Sequence, residues 1–89
     1  MQFKGRVALI TGGASGIGKD MAIRFAQLGG KVAIIDKNEQ ALKEISGLSS
    51  NISAFFCDVT DFDMVKEIID EVENSMGAVD RFVHCAALI

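Results

Sequence analysis

The chain has 89 residues, 49% of them apolar and 24% charged, which is room for one globular domain and no second. A net charge of −3, with nine basic residues scattered among twelve acidic ones, leaves no basic stripe and excludes nucleic acid as an expected partner. No apolar run reaches membrane-spanning length, so no membrane partner is expected, and the opening Met1-Gln-Phe-Lys-Gly-Arg6 lacks a signal-peptide layout. The cytoplasm is the expected compartment.

Residues 6–11 form a continuous apolar run, reading as a strand buried on both faces. A glycine-rich turn follows, with Gly12, Gly16 and Gly18 spaced Gly-x-x-x-Gly-x-Gly. From about Gly16 the apolar residues Ile17, Met21, Phe25 and Leu28 fall on one helical face, and Gly29-Gly30 ends the helix. Ala22 and Ala26 let that helix sit close to a sheet. Lys31–Asp36 is a second strand ended by a carboxylate. Asn38 is placed to cap a short helix through about Ser46, burying Ala41, Leu42 and Ile45, with Gly47 as its stop.

Ile52–Cys57 reads as a third strand, followed by Asp58. Thr60 and Asp61 supply helix-start chemistry, and Asp63 adds charge to the first turn. Phe62, Val65, Ile69, Val72 and Met76 then recur at helical spacing up to Gly77. Residues 81–86 read as a fourth strand. The order βαβαβαβ, with crossovers long enough for parallel pairing, predicts an α/β fold with four parallel strands in the order 3-2-1-4 and three helices. The first two helices then cover one face and the third covers the other. The apolar run 82–89 lies on an open edge and is the expected surface for self-association.

A strand, a glycine turn and a helix form the phosphate-cradling arrangement of dinucleotide-binding folds. Glycine lets the backbone approach a pyrophosphate, and the first helical N–H groups face the anion. A flexible turn that binds nothing is the alternative reading of the glycines alone. Asp36 lies 18 residues beyond Gly18, near the spacing of an acidic residue that accepts ribose hydroxyls. A carboxylate there repels a 2′-phosphate, so NAD is expected over NADP. Cys57 and Cys85 lack metal-ligand spacing and read as small apolar strand residues. His84, the single histidine, has no nucleophile or ligand set beside it and reads as a strand residue with a structural hydrogen bond.

The residues Thr11-Gly12-x-x-x-Gly16-Ile17-Gly18, Asp36, Cys57-Asp58-Val59-Thr60 and Gly77-Ala-Val-Asp80-Arg-Phe-Val together resemble the N-terminal half of a short-chain dehydrogenase/reductase. The resemblance implies a partial Rossmann fold, with residues 1–89 forming a truncated NAD(P)-binding domain. It implies that Ser15 and Ile17 line the pyrophosphate turn, that Asp58 meets the adenine amino group, and that Val59 packs on the adenine ring. The family's strand 4 typically ends Asn-Asn-Ala-Gly. Here the register gives His84-Cys85-Ala86-Ala87, in which only Ala86 matches as a cofactor-binding position. The family transfers hydride between nicotinamide and an alcohol or carbonyl, using a tyrosine, a lysine and a serine. This sequence contains no tyrosine. The chain alone is therefore expected to bind NAD without catalysing the reaction, and no catalytic residue is assigned. A stand-alone nucleotide-binding or self-associating module is the other reading.

Overall fold

A computed structural model describes residues 2–12, 14 and 16–85. Four parallel strands, β1 (Val7–Thr11), β2 (Lys31–Asp36), β3 (Ile52–Phe56) and β4 (Arg81–His84), alternate with three helices, α1 (Gly16–Gln27), α2 (Glu39–Ser46) and α3 (Phe62–Met76). The strand order is β3-β2-β1-β4, with Val7 opposite Lys31 and Ala8 opposite Arg81. This is the predicted order. The strands run slightly shorter than the apolar runs suggest, since Cys57 falls after β3 and Cys85 after β4, while Ala86 lies outside the described residues.

All five residues of β1 are buried, as a central parallel strand requires. Because side chains alternate across a strand, Ala8 and Ile10 join α1 and α2 on one face, while Val7 and Leu9 join α3 on the other. The first face is the thicker, closed by Ala22, Phe25, Ala26, Ala41, Leu42 and Ile45. On the second, α3 contributes Ile68 and Val72 against Leu9, Ala33, Ile35 and Cys57.

Two helices follow their apolar spacing in part: Phe25 of α1 and Val65, Ile69, Val72 and Met76 of α3 turn inward as predicted, while Ile17, Met21 and Phe62 do not. In α1 the buried residues are Gly18, Ala22, Phe25 and Ala26, while Ile17 is 75% exposed and Met21 is also exposed. The helix packs on the sheet through its small side chains. In α3 the buried residues are Ile68 and Val72, with Val65, Ile69 and Met76 half-buried, and Phe62 is 80% exposed at the first turn.

The helix ends follow local chemistry. Asn38 Oδ1 accepts from the Ala41 amide at 3.1 Å and caps α2. Asp61 Oδ1 accepts from the Met64 amide at 3.2 Å and caps α3, so the cap is Asp61 and not Thr60. Gly77 closes α3 at φ +110, where its lack of a side chain is needed. Gly47 ends α2 with a right-handed φ of −88 and needs no such freedom.

Asp80 closes the sheet at its amino end. Its Oδ2 accepts from the Val7 amide at 2.9 Å, its own amide donates to the Val7 carbonyl at 2.8 Å, and Arg6 stands 3.6 Å from its Oδ1. The N-terminal segment is held at the same end. Phe3 stacks on Phe25 with ring centroids 4.5 Å apart, and Arg81 lies over the Phe3 ring. Gly30 is glycine because a β-carbon there would run into the Phe25 ring.

Candidate functional site

Chain reversals between strands bring the glycine turn after β1, Asp36 at the end of β2 and Asp58 after β3 to the carboxyl edge of the sheet. β1 pairs on one side with β2 and on the other with β4, so the crossover direction reverses beside β1. In open α/β sheets ligands bind in the crevice outside the strand ends at this reversal.

Within the turn, Gly12 adopts φ +68 and a β-carbon on it would collide with the backbone carbonyl oxygen of Cys85. Its amide donates to the Ile35 carbonyl at 2.7 Å. The Ala14 amide donates to Asp36 Oδ2 at 3.2 Å. Neither amide is therefore free for an incoming anion. Gly16 has φ +61, and a β-carbon on it would meet nothing within 4 Å. The first amides of a helix have no partner inside it, which leaves those of Ile17 and Gly18 to face outward from α1. No acidic residue sits in the first turn of α1, whereas Glu39 and Asp63 occupy those turns of α2 and α3.

Asp36 is half-buried, with Oδ1 accepting from the Asn38 amide at 3.0 Å. Asp58 is exposed, and its Oδ1 accepts from the Thr60 amide at 3.0 Å and the Thr60 hydroxyl at 2.8 Å. These two bonds hold its carboxyl below the ordinary carboxylate range, with Lys37 assisting. Val59 is half-buried and packs on the cluster that contains Leu9, Cys57 and Val72. Cys57 is buried and donates its thiol to the Asp58 carbonyl, while burial and the charges of Asp61 and Asp58 push the thiol up. It stays protonated and is not a nucleophile. Ser15 and Ala86 lie outside the described residues.

The expected bond of His84 is present: its Nδ1 and Thr11 Oγ1 are 2.6 Å apart at the ends of β4 and β1. Sequence reasoning did not find Thr11 as its partner, nor Thr60 as the group that fixes Asp58, nor the Ala14–Asp36 bond. Only Thr60, two residues from Asp58, carries a local signal, because the other two bonds join residues 73 and 22 apart. Among the described residues no group of three or more His, Cys, Asp or Glu is placed to hold a metal, and no helix is long and apolar enough to cross a membrane. A small groove lined by Ile23, Ala26, Gln27, Leu48, Ser49 and Ile52 lies at the other end of the sheet and takes no part in this arrangement.

Fold and edge together define a doubly wound parallel α/β unit with a glycine turn at its reversal point. The chain belongs to the short chain dehydrogenase family, whose model matches residues 6–89. It is 38% identical, over 99% of its length, to a 3-oxoacyl-acyl-carrier-protein reductase from Thermotoga maritima, of which it covers 37%. A solved short chain dehydrogenase from Bacillus anthracis superposes with a TM-score of 0.86 at 33% identity, over 94% of this chain and 35% of that one. The 2-keto-3-deoxy-D-gluconate dehydrogenase of Streptococcus agalactiae gives 0.85 at 32% identity, over 99% and 35%. The chain thus spans about a third of the length of these relatives.

Proposed function

We propose that these residues form the NAD-binding part of a dehydrogenase that moves hydride between a nicotinamide cofactor and an alcohol or carbonyl. The observation that carries this reading is the Asp36 carboxylate standing against the glycine turn, 3.2 Å from the Ala14 amide. A ribose acceptor and a pyrophosphate cradle are then neighbours.

In this reading Gly12, Ser15, Gly16, Ile17 and Gly18 serve the pyrophosphate. Gly16 leaves open space where a side chain would stand, and the amides of Ile17 and Gly18 belong to the first turn of α1, the end of a helix that receives anions. Asp36 receives the adenosine ribose hydroxyls and disfavours a 2′-phosphate by charge, so NAD is preferred over NADP. The resemblance assigns Asp58 to the adenine amino group, Val59 to the adenine ring and Ala86 to the inner half of the cofactor. The bound nicotinamide would supply the hydride chemistry, and the part of these residues is to bind and orient it. With no tyrosine in the sequence, the chain alone is expected to show no turnover with NAD and a broad alcohol panel. Measured turnover would overturn that.

Thermal unfolding with and without millimolar NAD, run beside NADP, tests the binding claim. A ligand at 100 times its dissociation constant adds about 2.7 kcal/mol, a resolvable shift for a domain of this size. NAD should raise the midpoint and NADP should do little. No shift with either overturns the reading.

A second reading, self-association along β4, is favoured by Phe82. It is 58% exposed, opposite Leu9 on a strand that pairs only with β1 among the described residues. Sedimentation of the chain against a Phe82→Ser variant tests it, and a monomer in both cases rejects it.

A further inference from the structure

The Asp36 carboxylate accepts one backbone N–H on each oxygen. The bond from Asn38 is a local turn two residues on. The bond from Ala14 reaches 22 residues back, across the gap between β2 and the glycine turn. A second bond ties the same two segments, from the Gly12 amide to the Ile35 carbonyl at 2.7 Å. The turn is thus pinned to β2 at two successive points, by backbone at Gly12 and by a side chain at Ala14. The side-chain pin is the one a substitution can remove.

The turn needs such a pin. Gly12 and Gly16 both lie at positive φ, and glycine backbone has many other conformations open to it.

We propose that Asp36 is a positioning residue for the glycine turn, holding Ala14 so that the turn keeps its pyrophosphate-receiving shape before any ribose arrives. This rests on the reading of the turn as a pyrophosphate cradle. The two effects of the carboxylate on an anion have opposite signs. By charge alone Asp36 repels pyrophosphate, so removing it should tighten binding. By its hold on Ala14 it favours pyrophosphate, so removing it should weaken binding.

Inorganic pyrophosphate, which has no ribose, separates this role from the ribose contact. Titration calorimetry should find pyrophosphate binding at least threefold weaker in Asp36→Ala than in the unsubstituted chain. Asp36→Asn loses the charge but keeps one oxygen for the Ala14 amide, and should bind as tightly as the unsubstituted chain or more so. Equal or tighter binding by Asp36→Ala overturns the proposal.

Hydrogen exchange of the ligand-free chain gives a readout that needs no ligand. The Ala14 amide should exchange at least fivefold faster in Asp36→Ala, with Ile10 and Ile34 unchanged and protection kept in Asp36→Asn. An unchanged Ala14 rate overturns the pin. If the unsubstituted chain binds neither pyrophosphate nor NAD, the cradle reading has failed and the exchange result alone decides the pin. Should Asp36→Ala lose its fold by circular dichroism, Asp36→Ser, whose hydroxyl is too short to reach Ala14, replaces it with the same expectations.

Discussion

The two ends of β1 are held by the same device with different consequences. At the amino end Asp80 accepts from the Val7 amide, and at the carboxyl end Asp36 accepts from the Ala14 amide. Asp80 comes from the β4 side and Asp36 from the β2 side. Asp80 also returns a backbone bond to Val7 and has Arg6 beside it, so its oxygens serve the sheet itself. Asp36 has no ion-pair partner among the described residues, and its two oxygens hold only loop amides. A carboxylate compensated by a cation fastens structure. One left uncompensated beside a turn keeps capacity for an incoming donor.

The glycines sharpen the contrast and carry the largest expected effect. Gly12→Ala combines a positive φ with a collision against the Cys85 carbonyl, which is backbone and cannot swing aside. It should cost about 3–5 kcal/mol in urea unfolding. Gly77→Ala, at the other end, meets only a Val7 methyl at 3.9 Å. It bears the conformational cost alone, about 1–2 kcal/mol. Equal losses would mean that the Cys85 contact is unimportant.

Between the carboxylates, Asp80→Ala should destabilise by about 1–2 kcal/mol, through the lost Val7 bond and the partly exposed Arg6 pair. Asp36→Ala should cost about 1 kcal/mol or less in the same unfolding experiment, since the Asn38 bond is exposed and the Ala14 bond is only part-buried. A larger loss at Asp36 than at Asp80 would break the distinction between the two ends.

The smallest effect is at Asp58. Its carboxyl is held low by Thr60, so the favourable contribution of the charged form is complete above the ordinary carboxylate range. It is lost only as pH falls through the lowered folded value. An NMR titration should place the Asp58 midpoint below that of an unstructured aspartate. Thr60→Val, which removes the hydroxyl bond but not the amide bond, should move it part of the way back. No movement would assign the whole shift to the backbone.

The strand order, the helix count and the Asn38 cap were legible because they follow from local patterns: apolar runs, turn residues and a side chain three residues from its target. The faces of α1 and α3 were legible in part. Ala22, Phe25 and Ala26 are buried as the sequence indicates, but counting large apolar side chains also points to Ile17 and Met21, which are exposed. Phe62 matches the helical spacing yet falls at the first turn of α3, ahead of the buried Ile68 and Val72. At the candidate site, the acidic positions were legible from their place after each strand. Their partners were not, because the Ala14–Asp36 and Thr11–His84 bonds depend on how separate segments meet.

The place of β1 between β2 and β4 also bears on how the molecule comes into being. A ribosome makes β1 first, supplies β2 some two dozen residues later, and delivers β4 only after residue 80. The bond between Thr11 and His84 closes 73 residues of chain. The most buried strand of the sheet is thus half unpaired until residue 81 is made, with one hydrogen-bonding edge open to other chains. Whatever shields the nascent chain must cover that edge until Arg81–His84 emerges and completes it.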